Sequence, residues 1–585
     1  MNKLAYLSQT RSKLKTALLW GLTAAVVAAL IALKLSLCSN QLLELYPGAA
    51  PIDDELMFAS ARQIYAGNWL GEYNAMTLAK HMFFSVWLSW LIEMGIPYVI
   101  GGQLLYCAAC ACMALAVRPL FKRNWASLAV FATLWMSPYS WANFTLRVYR
   151  DNIFPSLCLF FFAGIIGMFA RFDKNPLGSL LFAAVGGIGL GTAWITREDG
   201  VWLLPFAVCA ALIYAVLVVL SKKSKKELLI RMCAPLVAAV LCLGCIGAYC
   251  WQNNTHYGRF IISDFTSKEF EDAVGALIRA DADRPHERNV LVCYDARKKV
   301  AAVSPLYAEI EKVFDSNDGY YRGYGYAPEK NLKSGGFCWA LRSVVQELGY
   351  ADSAVEAQDF YTRLASQINA ACDSGAIETP HRRMSTTLMP WDSSYLAPTL
   401  SEFGNSLLCL LTFDQTTSIA NACPDTEDTV MDYLRMLRTK AATLRDPVTA
   451  EPIVQDFQLK TEARFSAITL IYRILILPSL ALGLAALAID WYRAARELKQ
   501  RFPGRHCARA VMMTGVLLSV LLRVGIVSYV EAVSFMIGTY LLYLASAGPL
   551  LLLFAAYGVI SAAEYFFKRH STGPQAEKAS VNPAR

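Results

Sequence analysis

Charged residues are scarce in this sequence, and their scarcity decides which physical rules apply. Aspartate, glutamate, lysine and arginine make up 17% of the 585 residues, while hydrophobic residues make up 56%; soluble proteins carry roughly 25% charged residues. The six histidines are scattered and form no ligand cluster. The first apolar run lacks the small-residue motif of a cleavable signal peptide, so we expect it to remain as an anchor. These deficits exclude an ordinary soluble protein and indicate an integral membrane protein.

The net charge of +8 does not indicate a nucleic-acid partner. Lysine and arginine collect in short loops between apolar runs, as they do in membrane proteins whose orientation they set. Lys3, Arg11, Lys13 and Lys15 precede the first apolar run, so we expect the N-terminus in the cytoplasm. About ten membrane-spanning helices are predicted, at 16–37, 98–117, 127–141, 153–170, 177–195, 201–220, 233–251, 465–491, 510–529 and 533–560.

With this topology both termini are cytoplasmic, in a multi-pass protein of the cytoplasmic (inner) membrane. A shorter apolar stretch, 81–93, would place Arg118, Lys122 and Arg123 outside if it crossed the membrane. We therefore predict that it lies as a helix at the outer interface, with Trp87 and Trp90 at headgroup level.

The predicted fold class is mainly α, a polytopic helical membrane protein with outer juxtamembrane helices and an extracytoplasmic, largely helical soluble domain. Residues 1–251 form the N-terminal membrane module with a first outer loop at 38–97, and 252–463 form the soluble domain. Residues 464–570 form the C-terminal membrane helices, and 571–585 a disordered cytoplasmic tail. The soluble domain has an odd number of cysteines in a compartment that permits disulfides, so one or two bridges are allowed for; they are Cys293, Cys338, Cys372, Cys409 and Cys423.

An acidic triplet, Asp53, Asp54 and Glu55, follows Pro51 and precedes a helical pattern at 56–66. One interpretation is a helix cap, in which acidic residues complement the helix dipole. The other is a carboxylate above the membrane that acts as a general base or binds a cation.

Cationic residues are predicted on the same side of the membrane. Arg147, Arg150 and Asp151 occur in NFTLRVYRDN, and Arg197, Glu198 and Asp199 in WITREDGVW. These outward arginines run against the usual charge bias, so topology does not explain them.

Two further arginines lie inside predicted spans. Arg473 is about 12 Å and Arg523 about 10 Å from the outer ends of their helices, at 1.5 Å per residue. A charged residue inside a membrane is costly and therefore a functional candidate, although snorkelling to the headgroups is the alternative. Together with Lys80, the arginines suit the phosphate of a membrane lipid, because guanidinium groups pair with phosphate oxygens.

Several motifs between residues 47 and 206 also follow a familiar order: DDELMF, ARQIYAGNWLGEY, TLAKHMFFSVWLSWLIEMGIPY, RPLFKRNWASLAVFATLWMSP and TREDGVWLLP. This region resembles the GT-C class of membrane glycosyltransferases, which includes protein O-mannosyltransferases and lipid A aminoarabinose transferases and uses polyprenyl-phosphate sugars. The resemblance covers the N-terminal half and the general layout.

The resemblance implies roles for individual residues. Asp54, within the acidic triplet with Glu55, would deprotonate the acceptor hydroxyl, with Asp53 as the alternative base. Lys80 falls where the aminoarabinose transferases place a lysine near the donor phosphate; Arg147, Arg150, Arg197, Arg473 and Arg523 are the other predicted phosphate ligands. His81, Asp151 and Glu198 are predicted to support them. Only Asp151 is acidic in the second outer loop, where the class often has several carboxylates, which puts a bound divalent cation in doubt.

The sequence thus predicts a glycosyltransferase at the outer face of the cytoplasmic membrane. It would move a sugar from a polyprenyl-phosphate donor to a hydroxyl acceptor on a glycan, lipid or protein, with inversion implied by the resemblance and a divalent cation left as an option. The alternatives are a polysaccharide polymerase or ligase, a transporter or flippase of lipid-linked saccharide, and a receptor or assembly protein that works through its outer domain.

Overall fold

The computed structural model describes residues 2–46, 50–172, 175–220, 225–281, 288–326, 329–421, 423, 427–446, 448–449, 451–499, 504–538 and 540–571. All but the first residue of the predicted tail, 571–585, lies outside the described residues.

The N-terminal part of the chain is helical. Its α-helices are α1 (Asn2–Cys38), α2 (Asp54–Tyr65), α3 (Phe83–Met94), α4 (Tyr98–Val117), α5 (Trp125–Leu134), α6 (Phe154–Ala170), α7 (Pro176–Trp194), α8 (Leu204–Leu220) and α9 (Lys225–Tyr257). Short 3₁₀ helices lie between them, at Arg118–Leu120, Pro138–Ser140, Asn143–Leu146, Arg150–Asn152 and Glu198–Leu203.

Helix α7 packs closely between two neighbours because of its glycines. A Cβ at Gly186 would press on the backbone of Gly164 in α6, and one at Gly187 would strike the carbonyl of Ala238 in α9. Small residues at such crossings let helix backbones approach in a membrane, where apolar burial between helices gives little driving force.

The segment predicted to form the soluble domain contains α10 (Lys268–Ala280), α11 (Tyr294–Val303), α12 (Pro305–Ser316), α13 (Asp318–Tyr324), β1 (Gly325–Tyr326), β2 (Asn331–Leu332), α14 (Ser334–Glu347), α15 (Ala354–Asp373), α16 (Leu396–Thr412) and α17 (Glu427–Leu437). Strands β1 and β2 pair antiparallel. Helices α10–α15 share a hydrophobic core of their own, whereas Leu410 of α16 and Tyr433 of α17 belong to the core of the membrane helices. The predicted soluble domain therefore has two parts that pack differently.

The C-terminal helices are α18 (Asp456–Lys499), α19 (Arg505–Val530), α20 (Tyr540–Leu544) and α21 (Gly548–Ser571), with a π-helical turn at Glu531–Phe535. Among the described residues, nine helices are long and apolar enough to cross a membrane. The fold class is therefore confirmed: this is a polytopic helical membrane protein.

The predicted span at 127–141 is formed differently from the others. Helix α5 has only ten residues, and it ends where the buried Lys34 of α1 donates hydrogen bonds to the carbonyl of Trp135 (2.6 Å) and to Ser140 (2.7 Å). At the other end, Arg118 lies 4.7 Å from the ring of Trp20 of α1. Trp20 and Lys34 are about 21 Å apart along α1, so the segment follows α1 although its helix is short.

The last predicted span begins too early in the sequence. The helix α21 starts at Gly548 rather than at Val533, because Met536 (φ 55°) and Gly538 (φ 68°) turn the chain through left-handed conformations. The carboxylate of Glu531 accepts a hydrogen bond from the Gly538 N–H and closes this turn.

Two smaller predictions are also corrected. Helix α3 is short and apolar, as predicted for 81–93, but Trp87 is buried against Tyr98 and only Trp90 is exposed. All sixteen cysteines lie among the described residues, and no disulfide joins any two of them, so the one or two bridges allowed for in the predicted soluble domain are not formed.

Candidate functional site

Ten charged residues from the predicted outer segments meet in one ion-pair cluster. They come from the start of α2, the loop before α3, the segment between α5 and α6, the segment between α7 and α8, and α19. The cluster consists of Asp53, Asp54, Lys80, Arg147, Arg150, Asp151, Arg197, Glu198, Asp199 and Arg523. The structure thus brings together most of the charged residues singled out in the sequence.

Asp53 occupies the N-cap position of α2 without acting as a cap. Its φ and ψ are −120° and −95°, and within the described structure its side chain makes no capping hydrogen bond. Its carboxylate instead pairs with the Lys80 ammonium and accepts a hydrogen bond from the Tyr149 hydroxyl (2.9 Å). Burial alone would raise the pKa of the Asp53 carboxyl, but Lys80 and Arg147 outweigh it and hold that pKa below 3.8. The helix-cap interpretation therefore does not explain this side chain.

Asp54 has a different environment from its neighbour. Its side chain is 1% exposed, and both carboxylate oxygens accept hydrogen bonds from the guanidinium of Arg147. Burial raises the pKa of Asp54 above 3.8, and Arg147 offsets this only in part. A buried carboxylate with both oxygens engaged is suited to holding Arg147 in place.

Tyr149 is the centre of the cluster, and sequence reasoning missed it. Its hydroxyl accepts hydrogen bonds from Lys80 (3.1 Å) and Arg150 (2.9 Å) while donating to Asp53. The signal was its place in the motif NFTLRVYRDN: Arg147 and Tyr149 are extended residues, and alternate side chains of an extended segment face the same side.

The remaining cations are held by a second set of carboxylates. Arg150 pairs with Glu198 (2.6 Å), and Arg197 pairs with Asp151 and Asp199. Asp199, which the sequence did not single out as a site residue, also binds the membrane-buried Arg523 at 2.6 Å.

Arg523 and Arg473 lie at similar predicted depths, but they have different environments. Arg523 is 1% exposed and donates its Nε–H to the carbonyl of Tyr543 (2.9 Å) in addition to pairing with Asp199. Arg473 is exposed and donates to the carbonyl of Thr412 (2.6 Å). Within the described part of the chain it forms no hydrogen bond or ion pair with the cluster, so it lies apart from Arg523, and its role as a phosphate ligand stays a prediction.

The cluster has as many carboxylates as cations, with five of each. Three polar atoms buried in it nonetheless have no hydrogen-bond partner among the described residues: Nε of Arg150, Oδ2 of Asp151 and Nη1 of Arg523. The side chains of Asp53, Glu198 and Asp199 are 33, 31 and 29% exposed. The cluster therefore presents partly accessible carboxylates over a buried, charge-balanced base.

His81, in the loop before α3, makes hydrogen bonds to residues of two other segments. Its backbone N–H donates to Glu198 (3.0 Å), and its Nδ1 lies 2.7 Å from the carbonyl of Trp194, so Nδ1 carries the proton and donates. Nε2 then accepts from the Thr266 hydroxyl at 3.3 Å. Burial lowers the pKa of His81 below 6.5, which favours this neutral form. Glu55, by contrast, is an exposed residue of α2.

A cavity of about 440 Å³ adjoins the cluster at Arg147. Its lining combines hydrogen-bonding and apolar side chains: Glu44, Tyr46, Ala50, Asn143, Phe144, Arg147, Gln415, Asn421, Leu541 and Leu542. Glu44 was not predicted; it is buried and accepts hydrogen bonds from Tyr46 (2.8 Å) and Asn421. Arg147 thus faces both Asp54 and an open space large enough for a sugar.

No group of three or more histidine, cysteine, aspartate or glutamate side chains is placed to hold a metal ion within the ranges that the structure describes. Each carboxylate of the cluster faces an arginine or lysine instead.

No family model matches the sequence, and no curated protein does. Among solved structures, the chain is similar to the apo crystal structure of ArnT from Cupriavidus metallidurans, over 87% of this chain and 78% of that chain. The two share 11% sequence identity, and the TM-score is 0.29. Values this low do not establish a common fold or chemistry, so the proposals below rest on the residues of this chain.

Proposed function

We propose that the protein is a glycosyltransferase that moves a sugar from a polyprenyl-phosphate donor to a hydroxyl acceptor at the outer face of the cytoplasmic membrane. The observation that carries this proposal is the Asp53–Lys80 pair. A partly exposed carboxylate and a cation lie in direct contact, at the edge of a cluster that contains four arginines. Such a pair supplies a base for the acceptor and a positive charge for the leaving phosphate.

Asp53 is better placed than Asp54 to act as the base. A general base must reach the proton that it removes, and Asp53 is 33% exposed whereas Asp54 is 1% exposed. Glu198 and Asp199 are also accessible, but each pairs with an arginine. Because an arginine cannot lose its charge, it opposes the uptake of a proton by the carboxylate that it binds. Asp54 then acts by orienting Arg147.

The Asp53–Lys80 pair also balances the charges of the reaction. The acceptor oxygen attacks the anomeric carbon, the bond from that carbon to the phosphate oxygen breaks, and the acceptor proton moves to Asp53. The leaving phosphate gains one negative charge as Asp53 becomes neutral. Lys80 is then no longer paired with an anionic Asp53, so its positive charge can stabilise the phosphate. Preorganised charge of this kind is often the largest catalytic contribution.

Lys80 and Arg147 are the cations placed to contact the phosphate. Their side chains are 11 and 20% exposed, whereas those of Arg150, Arg197 and Arg523 are 6, 6 and 1% exposed. The three buried arginines would act through the field that they create and by holding Glu198 and Asp199.

The proposal is tested with purified protein in lipid nanodiscs, given a radiolabelled polyprenyl-monophosphate sugar and cell-envelope acceptors. We expect transfer by the wild type and its loss in Asp53→Asn. The matched control is Asp272→Asn, because Asp272 pairs with Lys268 on the surface of the outer domain. Consumption of diphosphate-linked glycans instead would indicate a polymerase or ligase, and movement of the lipid-linked saccharide across the membrane without transfer would indicate a transporter.

A further inference from the structure

Helix α14 of the outer domain lies along residues 73–80, the loop that ends in Lys80. Trp339, Arg342 and Gln346 of α14 are three and four residues apart and therefore share one helix face. Trp339 lies 5.4 Å from the Lys80 ammonium, and Gln346 accepts a hydrogen bond from the backbone N–H of Ala75 (2.6 Å). One face of α14 thus follows the loop to the ion-pair cluster.

Arg342 holds the backbone of this loop. It is 2% exposed and donates hydrogen bonds to the carbonyls of Ala75 (2.9 Å), Thr77 (2.9 Å) and Asn74 (3.3 Å). Its remaining nitrogen pairs with the buried Asp264. A single guanidinium therefore fixes three carbonyls within the seven residues before Lys80.

Asp264 fastens the same loop from a second direction. Its carboxylate accepts a hydrogen bond from the Tyr73 hydroxyl (2.8 Å), and its backbone N–H donates to the carbonyl of Leu78 (2.7 Å). Leu78 has a φ of 59°, a left-handed conformation that is unfavourable for a bulky residue. Such a conformation persists only when surrounding contacts impose it, so the loop owes its shape to the outer domain.

The Lys80 ammonium lies between two aromatic rings. The ring of Tyr149 is 5.3 Å away on the membrane side, and that of Trp339 is 5.4 Å away on the side of the outer domain. Trp339 is itself fixed by an edge-to-face contact with Phe265, with ring centroids 4.9 Å apart. Aromatic faces stabilise a cation that has been removed from water.

We propose that the outer domain is a working part of the transfer site, with α14 holding residues 73–80 so that Lys80 meets Asp53. Arg342 is a positioning residue that acts through the loop, and Trp339 is a positioning residue that acts on the ammonium. The inference rests on the proposed role of Lys80 in transfer and extends it to a domain that contributes none of the ten charged residues described in the cluster.

The test compares four variants of the full-length protein. Arg342→Met removes the loop contacts, and Arg279→Met is the matched control, since Arg279 is a buried arginine that binds Asp373 and the carbonyl of His381 within the outer domain. Trp339→Leu removes the aromatic face, and Trp339→Phe retains one. Hydrogen exchange of peptides covering 73–80 reports on the loop, and kcat and KM of sugar transfer report on the site.

We expect faster exchange of 73–80 in Arg342→Met and a loss in kcat of about a hundredfold, as small misplacements of catalytic groups cause. Arg279→Met should leave both unchanged after correction for stability. Trp339→Leu should lower kcat about two- to thirtyfold. It should also move the alkaline limb of the pH profile to lower pH, because the Lys80 ammonium loses an aromatic ring that stabilises its charged form. Trp339→Phe should recover most of both effects.

Unchanged exchange or unchanged kcat in Arg342→Met would overturn the inference, as would equal effects in Arg279→Met. If the wild type transferred no sugar while Arg342→Met alone released the loop, the proposed function would fail and the positioning of Lys80 by α14 would stand.

Discussion

Replacing Asp53 by asparagine tests whether Asp53, rather than its neighbour Asp54, acts as the general base. The change keeps the shape of the side chain and removes the charge that faces Lys80. The amide can still accept the hydrogen bond of Tyr149, but it cannot take a proton from an acceptor hydroxyl. Burial already lowers the pKa of Lys80 below 10.5, and Asp53 opposes this effect, so the Lys80 pKa should fall further in the variant.

The structure sets the expected magnitudes for Asp53→Asn. Loss of a general base typically costs about 10²–10⁴ in rate. The stability cost should be about 1.5–3 kcal/mol, the value of a hydrogen bond to a charged group, because the Asp53 side chain is 33% exposed and water can solvate what remains. The rise in the activation free energy of transfer should therefore exceed the loss in the free energy of unfolding.

Asp54→Asn should behave in the opposite way. The Asp54 carboxylate is 1% exposed and holds Arg147 with both oxygens. Breaking a buried ion pair by removing one partner costs about 3–5 kcal/mol, so thermal stability should fall clearly. Turnover should fall only as far as Arg147 is displaced.

Both variants are assayed for single-turnover sugar transfer and for thermal unfolding in the same nanodiscs. The reasoning would be refuted if Asp53→Asn kept wild-type turnover, or if Asp54→Asn lost turnover completely while unfolding at the wild-type temperature. The second outcome would return the role of base to Asp54.

Three further predictions concern the rest of the chain. Arg523→Leu should cost about 3–5 kcal/mol of stability and most of the turnover, whereas Arg473→Leu should stay within about 0.5 kcal/mol; equal losses would contradict the geometry. Because the folded-state pKa of His81 is lowered, its contribution to stability is complete above pH 6.5 and is lost as the pH falls below that value. The His81→Asn variant keeps a side-chain hydrogen-bond donor but has no imidazole to titrate. Its unfolding temperature should therefore fall less than that of the wild type as the pH is lowered from about 7.5 to about 5, a range that spans the ordinary histidine pKa. Gly164→Ala should destabilise by about 1–3 kcal/mol through collision with α7, while Gly244→Ala, which meets nothing within 4 Å, should not.

The sequence was sufficient to predict a polytopic helical membrane protein. Long apolar runs define spans because each must satisfy its own backbone in lipid. The prediction was weakest where a side chain elsewhere ends a helix, as Lys34 does at α5, and where left-handed residues delay one, as before Gly548. Pro138 after α5 and Pro549 at the start of α21 are local signals for these boundaries, whereas the contact of Lys34 depends on the folded chain.

Pairing within the site could not be predicted in the same way. The sequence placed Asp53, Asp54 and Lys80 in one loop, but it gave no reason to assign Asp53 to Lys80 and Asp54 to Arg147. Asp53 is the N-cap, with non-helical φ and ψ, whereas Asp54 is the first residue of the helix, and each meets a different partner. Tyr149 was missed, and Asp199 was named without a role, for a similar reason, because their roles come from neighbours distant in sequence.

The sequence by itself determined that this is a polytopic helical membrane protein, and which charged residues are costly enough to be functional candidates. Those properties follow from composition and spacing, because the cost of placing a charge in lipid depends on the residue and its depth. Only the tertiary structure decided which carboxylate stays accessible, that Arg523 belongs to the cluster while Arg473 does not, and that α14 shapes the loop before Lys80. Burial and ion pairing depend on neighbours in three dimensions, and these neighbours come from distant parts of the sequence. Asp199 and Arg523, for example, are 324 residues apart.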